Sequence, residues 1–133
     1  MRYLLGLFAL AAIVLVSGCS LFRNPDLSVA KVTSISAPDT VIAGATFSVT
    51  YHVILGSHGL YELDHIEVVE YTSSCLAQRF WSHDFSDGGA VPCILAQTDA
   101  TIGLVAPKKP GPFRLVAIQP DQSALERTVT VLP

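Results

Sequence analysis

The sequence predicts an all-β domain, built as a sandwich of two packed sheets with about seven strands. In several stretches apolar and polar residues alternate with a period of two, and β-branched and aromatic residues are abundant there. Glycine, proline and aspartate interrupt the chain at short intervals, and no stretch shows helical periodicity. Short strands separated by turns at such spacing are typical of a β-sandwich.

The clearest alternation lies in residues 45–53, where four apolar side chains fall on one face: Phe47, Val49, Tyr51 and Val53. Residues 66–69, 113–117 and 127–131 show the same period. One face of each predicted strand is therefore directed to a core and the other to water. Turn signals separate the strands at residues 37–39, 43–44, 56–59, 87–89, 107–112 and 120–121.

Composition and charge limit the classes of function. The chain has 133 residues, enough for one domain, and its 50% hydrophobic and 14% charged content indicates a folded chain rather than a disordered one. A formal net charge of −3, with no basic cluster, excludes a nucleic-acid footprint and a polybasic lipid-binding patch. The sequence lacks a P-loop, a His-Glu-x-x-His motif and a Gly-x-Ser-x-Gly elbow. It therefore predicts a protein that is not an enzyme, has no cofactor and binds no nucleic acid.

Residues 1–18 have the layout of an export signal. Arg2 supplies a positive start, residues 4–16 form an apolar stretch of 13 residues, and the small residues Ser17 and Gly18 follow. A helix needs roughly 20 apolar residues to cross a bilayer, so the stretch predicts a signal peptide rather than a permanent span.

The motif Val16-Ser17-Gly18-Cys19 resembles the lipobox of bacterial lipoproteins. The resemblance implies that the signal is cleaved before Cys19 and that acyl chains on this residue anchor the protein on the extracytoplasmic side of a membrane. Cysteine suits this role because its thiolate is the nucleophile that forms the thioether. Ser20 stands where an aspartate marks inner-membrane retention, which implies the outer membrane, facing the periplasm, in a Gram-negative cell. A plain secretory signal and a buried N-terminal helix of a cytosolic protein are the alternatives.

Residues 19–27 are predicted to be a tether of at most about 30 Å, and residues 28–133 the folded domain. Residues 37–49 and 110–115 resemble the opening and closing segments of bacterial immunoglobulin-like domains. The resemblance implies an immunoglobulin-like antiparallel β-sandwich. It extends to the architecture and to no named family, because Trp81 follows the nearest cysteine by only six residues, unlike the tryptophan of antibody-type domains.

Cys75 and Cys93 are the two cysteines that remain once Cys19 is assigned to the lipid anchor. An even pair in an oxidising compartment predicts a disulfide, which would stabilise the fold by about 3 kcal/mol in the chain-entropy estimate. A plain hairpin with its tip at Asp87 and Gly88 would not bring the two residues opposite each other, so residues 82–92 are expected to form a bent excursion. Two buried free thiols, or a reactive or metal-binding pair, are the alternatives.

The four histidines show no close ligand spacing. The alternative function that the sequence leaves open is a site for a metal ion or small ligand. It would be built from His58, His65 or His83 with Asp64 or the acidic loop from Asp84 to Asp87. No metal site is predicted in the preferred interpretation.

Arg79, Phe80 and Trp81 form the predicted partner-binding segment. The two aromatic residues are adjacent, so on a strand they point to opposite faces and one is expected at the surface. Aromatic side chains beside arginine are common anchors of protein contacts. The alternative is that the core covers one ring and a loop the other. Glu67 and Glu70, three apart on a predicted strand, are expected on opposite faces and so do not predict an acid–base pair.

Together these features predict a membrane-anchored lipoprotein that serves as a non-enzymatic binding or scaffold module, with an envelope protein as its partner.

Overall fold

The structure, a computed structural model, describes residues 26–133. Within this range the chain forms nine strands and no helix: β1 (Leu27–Val29), β2 (Lys31–Ser36), β3 (Thr40–Ile42), β4 (Thr46–Gly56), β5 (Tyr61–Tyr71), β6 (Cys75–Asp84), β7 (Ala96–Val105), β8 (Gly111–Ile118) and β9 (Ala124–Leu132). The prediction of an all-β sandwich is confirmed, with nine strands in place of about seven. The predicted signal peptide and Cys19 lie outside the described residues. No helix within residues 26–133 is long and apolar enough to span a bilayer.

Two sheets pack face to face. One has three strands in the order β2-β4-β7. In the other, β5 pairs with one side of β6, while β1 and β8 share the other side; β9 and β3 follow β8. Strand β1 lies beside the last residues of β6, and β8 lies beside the first.

The expectation of a wholly antiparallel sandwich is wrong for two strand pairs. Strands β3 and β9 run parallel, and so do β6 and β8. The second case follows from the path of the chain. After β6 the chain crosses to the other sheet, runs back through β7, and returns to the first sheet as β8, which therefore has the same direction as β6.

The core contains the apolar face of β4 that the alternation predicts. Phe47, Val49, Tyr51 and Val53 are buried, and the residues between them are not. The large side chains that pack against this face come from the other sheet: Phe80, Phe113, Leu115, Val129 and Val131. The rings of Tyr51 and Phe80 have centroids 4.8 Å apart.

Strand β5 does not follow the predicted alternation. Among the described strands it pairs with β6 alone, and its register shifts between Leu63 and His65 and again between Val68 and Glu70. Each shift inserts an extra residue and redirects the side chains that follow it. The second half of β5 is consequently exposed on both faces, including Val68 and Val69.

The sandwich has two ends, and the described chain begins at one of them. The carbonyl of Asp26 accepts a hydrogen bond from the Asp84 amide at 3.0 Å, at the last residue of β6. We call this the entry end. Three connections lie there: the turn between β4 and β5, residues 85–95 between β6 and β7, and the turn between β8 and β9. The first two are held together by a bond from the Gly59 amide to the Pro92 carbonyl at 3.4 Å. The far end carries the β5–β6 turn and the β7–β8 connection.

The disulfide predicted between Cys75 and Cys93 is not present, and both are free thiols. Cys75 is buried at the first residue of β6, at the far end, whereas Cys93 is exposed in residues 85–95, at the entry end. Strand β6 has 10 residues, and at roughly 3.3 Å per residue its two ends lie about 30 Å apart. A disulfide requires Cα atoms within about 7 Å. The bent excursion predicted for residues 82–92 begins later, because Ser82 to Asp84 still belong to β6. Residues 85–95 carry the chain between the sheets without forming a hairpin.

Candidate functional site

The outward face of the β5–β6 pair presents a cluster of aromatic and ionisable side chains. Its members are His65 and Glu67 from β5 and Arg79 and Trp81 from β6, and we call it the outer β5–β6 surface. The strand register places His65 directly opposite Trp81 and Glu67 directly opposite Arg79. Residues that are directly opposite on antiparallel strands have neighbouring side chains on the same face.

The predicted partner-binding segment divides between the two faces of β6. Arg79 and Trp81 are partly exposed on the outer face, whereas Phe80 has no exposed surface and packs against Tyr51. Successive side chains of a strand point to opposite faces, so one aromatic ring must enter the core. Phe80 is therefore a core residue, and its assignment to a binding surface is wrong.

Glu67 joins the two β6 side chains of this surface. Its Oε2 accepts hydrogen bonds from Trp81 Nε1 at 2.9 Å and from Arg79 Nη1 at 3.0 Å. These bonds, with the one from the indole contributing most, lower the pKa of the Glu67 carboxyl. The carboxylate thus stays ionised near neutral pH and holds both the indole and the guanidinium in fixed orientations.

The imidazole of His65 lies against the indole. The ring centroids of His65 and Trp81 are 6.0 Å apart, and the planes are inclined by 12°. A hydrogen bond between Asp64 Oδ2 and His65 Nδ1 fixes the imidazole from the other side. Half of the His65 side chain is exposed, so the stacked pair is open to solvent.

Two further histidines near this surface lie close to aspartates, and one of them, His83, shares Asp64 with His65. His83 Nδ1 lies 3.9 Å from Asp64 Oδ1, and His58 Nε2 lies 3.5 Å from Asp84 Oδ1. Hydrogen bonds from Ser86, and secondarily the nearby imidazole of His58, lower the pKa of Asp84. Because His83 and Asp84 are adjacent on β6, their side chains leave opposite faces of the strand.

This separation does not favour the metal-binding alternative. His65 and His83 both lie near Asp64, whereas His58 lies near Asp84. Residues 26–133 contain no group of three histidine, cysteine or acidic side chains placed to hold a metal ion. The carboxylate of Asp84 instead accepts the amide of Ser86 at 2.8 Å, in a local turn.

An apolar patch continues the same face of the sheet. Cys75, Ala77 and Val116 are buried against one another there. Burial, and then the charge of Glu70, raises the pKa of the Cys75 thiol, which makes it a poor nucleophile at neutral pH. Glu70 lies opposite Ala77, and Glu67 opposite Arg79, so the register shift after Val68 puts both glutamates on the outer face, contrary to the expectation.

Sequence reasoning finds Arg79 and Trp81 but misses His65 and Glu67 as their partners. The alternation along one strand shows which of its residues share a face. It does not show which residue of the next strand lies opposite. The only local signal is the density of ionisable residues in β5, where Glu62, Asp64, His65, Glu67 and Glu70 occur close together.

The fold and this surface define the class of the protein: an all-β sandwich that exposes a preformed aromatic and charged surface on one sheet. Comparisons with protein-family models, with curated proteins and with solved structures find no match.

Proposed function

We propose that the protein is a membrane-anchored lipoprotein of the cell envelope, held on the extracytoplasmic side by acyl chains on Cys19. Its sandwich serves as a non-enzymatic binding or scaffold module, and the outer β5–β6 surface contacts an envelope protein. In a cell with two membranes, Ser20 after the acylated cysteine places it on the outer membrane, facing the periplasm.

The observation that carries the binding proposal is the shared carboxylate of Glu67. It fixes the indole of Trp81 and the guanidinium of Arg79 through two hydrogen bonds, and His65 stacks on the indole. Aromatic and arginine side chains are enriched at the centres of protein interfaces. Since these side chains are already ordered, they lose less conformational entropy when a partner binds.

The immunoglobulin-like connectivity is part of the same proposal. It is supported by the three-stranded sheet β2-β4-β7, which would correspond to strands A, B and E, and by the adjacent strands β8 and β9, which would correspond to F and G. The β5–β6 hairpin then takes the place of strand C. Its second strand, not its first, lies next to β8, which accounts for the parallel pairing.

Site-specific photo-crosslinking in intact envelopes tests the binding surface. A photoreactive residue at position 65 is expected to yield a discrete adduct, and the same residue at Thr101, exposed on the opposite sheet, is expected to yield none. Trp81→Ala should remove the adduct, and Trp81→Phe should restore part of it. Equal adducts from both positions, or none from position 65, would contradict the proposal.

The lipid anchor has a separate test. Cys19→Ser should abolish labelling by a fatty-acid probe and leave unprocessed precursor in the cell. Normal cleavage of the variant and release of its product would instead indicate a plain secretory signal.

A further inference from the structure

Residues 85–95, the connection between β6 and β7, expose an unusual number of apolar side chains. We call this segment the apolar loop. Phe85 is 57% exposed, Val91 37%, Ile94 70% and Leu95 48%, and Asp87 is the only charged residue among them. Connections between strands are normally polar, and contiguous exposed apolar surface marks a site of interaction.

The apolar loop lies at the entry end of the sandwich, beside the point where the described chain begins. Phe85 directly follows Asp84, whose amide donates to the Asp26 carbonyl. The amide of Phe85 donates to the Leu60 carbonyl at 2.9 Å, so the loop and the β4–β5 turn form one surface with the start of β1. Cys19 precedes Asp26 by seven residues, which span at most about 23 Å.

We infer that the apolar loop docks onto the lipid bilayer, with Phe85, Val91, Ile94 and Leu95 entering the interfacial region beside the anchor. This inference rests on the proposed acylation of Cys19, which would hold the entry end against the membrane. Apolar loop side chains at this distance from an anchor add a second hydrophobic attachment to the one that the acyl chains supply.

The charges at the two ends indicate which lipid surface the loop meets. At the entry end the exposed acidic residues Asp87 and Asp121 outnumber the exposed Lys31, whereas the exposed pair Lys108 and Lys109 lies at the far end. The docking is therefore hydrophobic rather than electrostatic, and it favours zwitterionic over anionic lipid. In this orientation the strands of the outer β5–β6 surface rise from the membrane, which leaves that surface open to a partner.

Fluorescence quenching in vesicles tests the docking. The acylated full chain is reconstituted in phosphatidylcholine vesicles that contain doxyl-labelled lipid, with an environment-sensitive fluorophore on the exposed thiol of Cys93. The matched control carries Cys93→Ser and Ser73→Cys, which moves the label to the exposed far-end turn. Quenching at least threefold stronger at position 93 is expected, and equal quenching at both positions would overturn the inference.

Two variants test whether the apolar side chains of the loop cause the quenching. Ile94→Asn with Val91→Asn should reduce quenching of the Cys93 label at least twofold, whereas Val105→Asn, which also removes an exposed apolar side chain but at the far end, should leave it unchanged. Replacing a third of the phosphatidylcholine by phosphatidylglycerol should lower the quenching, and an increase would overturn the hydrophobic mode of contact.

The remaining outcomes separate this inference from the proposal on which it rests. A chain that does not float with vesicles at all would overturn both. A chain that floats, but whose Cys93 label is quenched no more than the far-end label, would support the lipid anchor and overturn the docking alone. Energy transfer between Cys93 labels on two copies, without quenching by lipid, would assign the loop to an interface between copies and would also overturn it.

Discussion

Glu67 is the residue on which the outer β5–β6 surface depends. Its carboxylate is the common acceptor for an indole and a guanidinium that belong to the neighbouring strand. Without the charge, both donors lose their strongest local partner, and a charge-assisted bond is roughly twice as strong as a neutral one.

The contribution of Glu67 to stability is expected to depend on pH. Because its pKa is lowered in the folded state, the stabilisation is full well above the unfolded value of about 4.3 and disappears as pH falls through the lower folded value. The difference in free energy of unfolding between the natural protein and Glu67→Gln should therefore be larger at pH 7 than at pH 3. Urea denaturation at the two pH values measures it, with Glu62→Gln on the same strand as control. A difference that grows on acidification would contradict the assigned hydrogen bonds.

Tyr51 shows how the core accommodates a polar group. Its hydroxyl donates to Gln78 Oε1 at 2.7 Å, between two buried side chains from opposite sheets. Burial raises the pKa of Tyr51 well above its ordinary value, so the phenol keeps its proton and remains a hydrogen-bond donor at neutral pH.

Removal of this hydroxyl should destabilise the fold because it leaves the Gln78 oxygen without its donor in the core. Tyr51→Phe is expected to lower the free energy of unfolding by about 1–3 kcal/mol. Tyr71→Phe, at an exposed tyrosine, should change it by less than about 0.5 kcal/mol. Chemical denaturation of the two variants measures both changes. Equal changes in the free energy of unfolding would mean that the buried hydrogen bond contributes nothing to stability.

At the scale of elements, strand β4 ends where a glycine is required by packing. A Cβ at Gly56 would lie 2.2 Å from Cδ2 of Tyr61, the first residue of β5. The ring of Tyr61 covers the glycine and closes the turn between the two strands. By contrast, a Cβ at Gly103 in β7 would meet no atom within 4 Å.

The two glycines should respond oppositely to the same substitution. Gly56→Ala is expected to lower the free energy of unfolding by about 1–3 kcal/mol, because the tyrosine ring must move. Gly103→Ala should raise it by about 0.5–1 kcal/mol, because alanine loses less backbone entropy in a strand. Thermal unfolding of both variants provides the measurement. If Gly56→Ala left the free energy of unfolding unchanged, the contact of the Tyr61 ring with the glycine would not contribute to stability.

The strands differ in how far they can be predicted from the sequence. Strand β4 can be predicted residue by residue, since it lies in the middle of its sheet and one face is continuously buried. Strand β5 cannot, because it is an edge strand with two register shifts, and each shift changes which side chains face outward. Two residues of the candidate site, Arg79 and Trp81, could consequently be predicted, because they lie on the regular strand β6. His65 and Glu67 could not, because they lie on the irregular strand β5.

At the scale of the whole molecule, the two ends of the sandwich differ in chemistry. The entry end carries the apolar loop with the exposed residues Asp87, Asp121 and Lys31, and the far end carries Lys108, Lys109 and the exposed Asp39. The two cysteines of the domain are separated in the same way, with Cys93 exposed at the entry end and Cys75 buried at the far end. A pairing that is reasonable from the cysteine count is thus prevented by the direction of β6.

Thiol reactivity should report this separation. In a chain that carries Cys19→Ser, a disulfide-exchange reagent is expected to modify one thiol rapidly, and Cys93→Ser should abolish that reaction. Cys75 should react only on unfolding, because burial raises the pKa of its thiol and blocks access. Two thiols that appear only after addition of a reductant would mean that the cysteines are bridged.

The sequence by itself determined that the domain is all-β, which face of β4 forms the core, and that adjacent aromatic residues on β6 point to opposite sides. These are local properties, set by the alternation of side chains along one strand. Only the tertiary structure decided the rest: the register that joins Glu67 to Arg79 and Trp81, the parallel pairing of β6 with β8, and the meeting of the apolar loop with the start of the domain. Each of these depends on contacts between residues far apart in the chain, and a period of two specifies a face without specifying a neighbour.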